Sequence, residues 1–167
     1  MFDKIESLEG LLEIKLQGLY DAEKQLTKAL PKMAAQATDP QLKMGLEVHL
    51  RETENYVVRL EQVAKSLDMN LNGPSCKAMK GLIEEGEQLM ALRATDEVRD
   101  AAIISAAQGV EHFEIAQYGT VVHFAKRLGL AAAADILGAT LTEEKNTDEL
   151  LNQLAISFID EKAISPS

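Results

Sequence analysis

The sequence predicts an all-α fold, a four-helix bundle with one long crossover between its second and third helices. Three observations lead there. The 167 residues are rich in Leu, Ala, Glu, Lys and Gln, the good helix formers, and include no Trp and only four prolines. Turn-forming residues interrupt the chain at few places, which leaves four long segments and one shorter one. Each long segment carries a line of inward positions at alternating spacings of four and three, the pattern of a bundle seam.

The first helix runs from about residue 3 to residue 37, with Pro31 marking a kink or a register adjustment. "TDP" at 38–40 ends it, and Asp39 then serves as the N-cap and Pro40 as the first residue of a second helix reaching about residue 69. "NLNGPS" at 70–75 is turn chemistry. A shorter amphipathic helix follows over 77–92. Asp96 reads as the cap of the third long helix, which ends near Gly129 as a C′ glycine. The fourth begins within 131–134 and extends to about residue 162, leaving a frayed tail, "ISPS". The first–second and third–fourth connections are short, so each pair is antiparallel. The passage between the pairs covers roughly 25 residues, enough to run back along the bundle, which is the ferritin-like connectivity. One domain over 1–167 accommodates all of this.

Composition excludes several functions. The formal net charge of −10 opposes nucleic acid and anionic membrane surfaces, and no basic patch offsets it. Cys76 is the lone cysteine, so no intrachain disulfide forms. The acidic start, "MFDKIESLEG", is not a signal peptide, and no apolar run approaches the ~20 residues of a membrane span. The expectation is a soluble cytoplasmic protein.

The seams are polar at mid-height. The first reads Leu12, Leu16, Leu19, Glu23, Leu26, Leu30, Met33. The second reads Leu42, Leu46, His49, Thr53, Tyr56, Leu60, Val63, with Glu52 flanking it one turn after His49. The third reads Ala107, Glu111, Glu114, Tyr118, Val121, Ala125, Leu128, and the fourth Leu137, Leu141, Glu144, Asp148, Leu151, Ala155, Phe158. At ~1.5 Å per residue, Glu23 and Glu52 both lie about 21–23 Å from the first turn. Glu111, Glu114, Glu144 and Asp148 match one another in depth from the turn near residue 130.

Carboxylates in a low-dielectric core each cost several kcal/mol unless compensated, and together they repel. The seams offer no Lys or Arg. Divalent cations compensate, and carboxylates with one imidazole suit iron or manganese better than zinc or copper(I). Two ions bridged by carboxylates use this many ligands. The candidate ligands are therefore Glu23, His49, Glu52, Glu111, Glu114, Glu144 and Asp148. Tyr118 is expected to hydrogen-bond to this cluster, with Tyr20 and Tyr56 within a turn of it.

"YDAEKQLTKALPKMA" (20–34), "HLRET" (49–53), "GLIEEGEQ" (81–88), "VRDAAIISAAQGVEHFEIAQYGT" (98–120) and "LTEEKNTDELL" (141–151) resemble the YciF/YciE-like family of bacterial stress-associated, ferritin-like proteins. The resemblance covers nearly the whole chain in order. It implies a ferritin-like bundle with an extra crossover helix, a homodimer, a rubrerythrin-like dinuclear metal site and a link to stress. It names no reaction. The rubrerythrin pattern is matched by Glu23 and by Glu111 and Glu114. Its Glu-x-x-His of the second helix appears reversed, as His49 then Glu52. In the fourth helix Glu144 is followed at that spacing by Thr147, with Asp148 next.

Two functions compete. The first is a stress protein holding two divalent ions, iron or manganese, with redox chemistry on peroxide or oxygen. The second is a non-catalytic helical interaction module with structural metal or none. Iron storage is a third, for which no cage-forming interface is visible.

Overall fold

Ser7 opens the first helix, α1 (Leu8–Gln36), its hydroxyl accepting from the Gly10 N–H at 3.1 Å. The computed structural model describes residues 4–164, so the expected start near residue 3 and the last three residues of the tail lie outside it. α1 continues unbroken through Pro31. Asp39 caps α2 (Pro40–Ser66), accepting from the N–H groups of Gln41 and Leu42 at 2.9 and 3.1 Å. This helix stops at Ser66, short of residue 69. Asp68 adopts a left-handed φ of 53°, and the Met69 N–H turns back to the Ala64 carbonyl at 2.9 Å.

The crossover carries α3 (Lys77–Met90) and leads into α4 (Asp96–Arg127). Thr95 caps α4, its hydroxyl accepting from the Val98 N–H, so Asp96 is the first helical residue and not the cap. Gly129, at φ 72°, ends this helix as expected. The Leu130 N–H donates to the Ala125 carbonyl at 2.9 Å and the Gly129 N–H to Lys126 at 3.1 Å, closing a Schellman motif.

α5 (Ala131–Leu154) does not run on regularly to residue 162. A π-helical turn (Ala155–Ile159) intervenes before α6 (Asp160–Ile164), with the Asp160 N–H donating back to the Ala155 carbonyl. The wider turn shifts the register. Ile159 is buried, whereas Phe158, expected inside, is 52% exposed.

α1 packs against α2 and α4 against α5, and α3 lies against α1 and α4. This is the ferritin-like four-helix bundle with a long crossover carrying a fifth helix. Two apolar clusters fill its ends. One gathers Leu26, Leu30, Leu42, Leu46, Ile103 and Leu151; the other gathers Leu12, Leu16, Leu60, Val121 and Leu137. The polar mid-section of the seams lies between them.

Two features lock the ends. Buried Asp100 accepts from the Thr38 N–H (2.8 Å), the Thr38 hydroxyl (2.6 Å) and the Asp39 N–H (2.8 Å), tying the α1–α2 turn to α4. At Gly73 the crossover approaches α1 so closely that a Cβ would lie 2.7 Å from the Gln17 side chain. No described helix is long and apolar enough to cross a membrane.

Candidate metal centre

Glu23 of α1, His49 of α2, Glu111 and Glu114 of α4 and Glu144 of α5 meet at mid-height, none more than 3% exposed. They face inward because they occupy the seam positions, which are held in the core by the apolar stretches of the same seams above and below. His49, Glu111, Glu114 and Glu144 each place one ligand atom within 4.8 Å of the others. His49 Nε2 lies 3.0 Å from Glu111 Oε1 and 3.9 Å from Glu144 Oε2. Glu23 completes the group from α1 and accepts a 2.5 Å hydrogen bond from the Tyr118 hydroxyl.

The other two candidates stand apart from this core. Glu52 is half-buried and approaches the opposite ring nitrogen, His49 Nδ1, at 3.6 Å. Thr147 lies 3.4 Å from the same atom. Asp148 turns toward the surface, where its carboxylate is 3.1 Å from His112 Nε2 and accepts from Gln108 at 3.3 Å. Tyr20 also points away, donating to Glu61 at 2.8 Å. Tyr56 and Tyr118 are buried and stack edge to face, with ring centroids 6.4 Å apart; His49 meets Tyr56 in the same way.

Arg59 escaped the sequence analysis. It forks onto Glu143 at 2.6 and 3.0 Å and lies over the Tyr56 ring, bridging α2 to α5 beside the site. Its position three residues after Tyr56, on the flank of the seam, is the trace it leaves in the sequence.

Electrostatically the cluster is far from neutral carboxylate behaviour. Burial pushes Glu23 up to about 7, against the opposing hydrogen bond from Tyr118. Burial, and then the charges of neighbouring glutamates, raise Glu114 and Glu144 well above the carboxylate range. Burial pulls His49 down, but the Glu111 charge and contact outweigh it and lift the imidazole to about 10. Burial followed by the nearby carboxylates also raises Tyr56 and Tyr118. No Lys or Arg among the described residues pairs with these four glutamates.

The donor set fits a metal. Both oxygens of Glu114 and of Glu144, one oxygen each of Glu23 and Glu111, and His49 Nε2 are buried without a hydrogen-bond partner. Buried polar atoms ordinarily find partners, and orphans concentrated at one point call for a cation. Oxygen donors with one imidazole suit a metal ion that does not seek thiolates.

Fold and site thus define an all-α bundle protein with a buried His–Glu cluster able to hold a metal ion. The chain belongs to the family described as a domain of unknown function, DUF892, whose profile matches residues 7–164. It is 42% identical over 160 residues to protein YciF of Escherichia coli K12, covering 95% of this chain and 96% of that one. The crystal structure of the E. coli stress protein YciF matches with a TM-score of 0.90 at 40% identity, over 98% of this chain and 100% of that one. YcfI of Rhodopseudomonas palustris, described as a candidate structural protein, matches at 0.87 with 43% identity, over 91% and 97%. A Xanthomonas campestris pv. campestris protein shares the fold, with a TM-score of 0.73 at 22% identity over 92% and 94%. The resemblance carried by the sequence motifs is therefore to the family in which the chain falls, one that includes a bacterial stress protein.

Proposed function

We propose that this chain is a stress-associated protein that binds a dinuclear iron or manganese centre at mid-bundle. The concentration of orphaned buried donors on Glu23, His49, Glu111, Glu114 and Glu144 carries this conclusion. His49, Glu111, Glu114 and Glu144 would hold one ion, and Glu23, buried beside them on α1, would extend the donor set to a second. Bound iron or manganese supplies electron exchange with peroxide or dioxygen. The chain itself orients the ligands and excludes water. Tyr118 fixes one Glu23 oxygen, and Glu52 and Thr147 set the His49 ring by approaching Nδ1, leaving Nε2 for the metal. Asp148, held by His112, serves the surface.

We take the working protein to be a cytoplasmic homodimer without nucleic-acid or membrane partners, in keeping with the net charge of −10 and the family resemblance. Sedimentation at micromolar concentration tests the dimer. The naming of the Rhodopseudomonas relative favours the alternative, a non-catalytic module with an inert metal. Mixing Fe(II)-loaded protein with peroxide separates the two. A fast absorbance change that the Glu114→Gln variant lacks supports the redox site. Oxidation no faster than that of free iron leaves the structural role.

A further inference from the structure

We infer that an apolar passage between α1, α3 and α4 delivers dioxygen to the buried cluster; this rests on the metal-binding function proposed above. Two cavities lie in series. The outer one, about 270 Å³, opens beside the crossover helix and is walled by residues including Ala29, Leu82, Gly86 and Met90. The inner one, about 20 Å³, has His49 and Glu111 in its wall, among leucines of α1, α2 and α5. Leu26, Met33 and Val110 line both, so these three side chains form the partition between them.

The sequence explains the outer space. Ala29, Gly86 and Ala106 are too small to fill the gap where α3 crosses, and a Cβ on Gly86 would already press to 3.2 Å from Ala106. At the mouth Lys32 pairs with Glu87 at 3.0 Å, an exposed ion pair that water opens readily. Met33 at the partition is unbranched and rotates easily.

Size and polarity select the traveller. The inner cavity holds about one small molecule, and the side chains between it and the outer one, Leu26, Met33 and Val110, are apolar. A cation or hydrogen peroxide would give up its hydration to pass Leu26 and Val110. Dioxygen makes no strong hydrogen bonds and loses little. Polar species have another approach. The inner cavity shares Gly45, Thr147 and Leu150 with a surface hollow of about 140 Å³ between α2 and α5, where Glu52 and Glu143 stand. The two sides of the cluster thus differ in what they admit.

Two measurements test this. Crystals of the metal-free protein under xenon pressure should show xenon in both cavities; xenon in neither overturns the passage, whatever the metal content. Next, Val110→Phe and Val110→Ala are loaded with Fe(II), metal per chain is measured first, and oxidation by dioxygen and by peroxide is timed. Val110→Phe should slow the dioxygen reaction by about tenfold or more, with Val110→Ala faster than the parent, because the partition sets the barrier. Neither should change the peroxide rate by more than roughly twofold. Val110→Ala keeps the test decisive if the larger side chain prevents folding. Parental dioxygen rates in both variants, or equal slowing with both oxidants, overturn the inference. A parent that binds no iron overturns the metal function instead, and xenon still decides the passage.

Discussion

Replacing Glu23 by Gln removes one charge from the cluster yet keeps an oxygen to accept from Tyr118. In the metal-free protein, burial raises the Glu23 carboxyl from 4.5 to about 7. The folded state therefore binds this proton more tightly than the unfolded state, and between those values it carries more protons. Stability then falls as pH rises: the contribution is whole below pH 4.5 and lost above about 7. At ~1.36 kcal/mol per pH unit of displacement, the loss is about 3 kcal/mol. Glu23 is 0% exposed, so solvent does not screen this. Gln does not titrate. Urea unfolding in chelator should therefore find Glu23→Gln more stable than the parent by about 3 kcal/mol at pH 8, or about 6–12 °C in Tm. The two proteins should agree at pH 4. With saturating Fe(II) or Mn(II) at pH 8 the order should reverse, because the carboxylate then meets a cation. Equal stabilities at both pH values, or the same order with and without metal, refute the account of Glu23.

The remaining predictions use other parts of the molecule. Asp100→Ala should destabilise by about 2–4 kcal/mol in chemical denaturation, since three donors lose a buried carboxylate. Asp68→Gly should gain about 0.5–1 kcal/mol by relieving the left-handed residue after α2, while Gly129→Ala should lose about 1 kcal/mol after α4. Glu52→Gln should retain the parental metal count but bind roughly tenfold or more weakly by competition titration, because it orients His49 through the ring nitrogen remote from the cluster. Asp148→Asn should leave both count and affinity unchanged, its carboxylate being engaged with His112.

Helix spacing and depth made most of the site legible in the sequence. The seam positions of α1 and α2 from Leu12 to Met33 and from Leu42 to Val63 are all buried. Of the acids at matching depths Glu111, Glu114 and Glu144 converge with His49, with Glu23 buried at the same level, whereas Glu52 and Asp148 do not join them. What spacing could not show was where flanking side chains turn. Asp148 is four residues from Glu144 and shares its face, but the neighbouring His112 on α4 draws it outward. Glu52 sits off the seam and so reaches only the near side of His49. The π turn after Leu154 left no mark in a pattern read at one period, which is why Ile159 replaces Phe158 inside. Asp100 was within reach. It lies seven residues before Ala107, so extending the α4 seam by two turns arrives at it. Its partners, a turn's N–H groups, belong to backbone geometry that residue identity alone does not reveal.

The central claim is that the inward acids exist to hold metal. Elemental analysis per chain, on untagged protein purified without chelator, tests it most directly, with Glu114→Gln as the paired sample. The account predicts close to two iron or manganese ions per parent chain, the number of the dinuclear centre proposed above, and a clear loss in the variant. A parent that carries no metal and takes none up on anaerobic or aerobic reconstitution would contradict it.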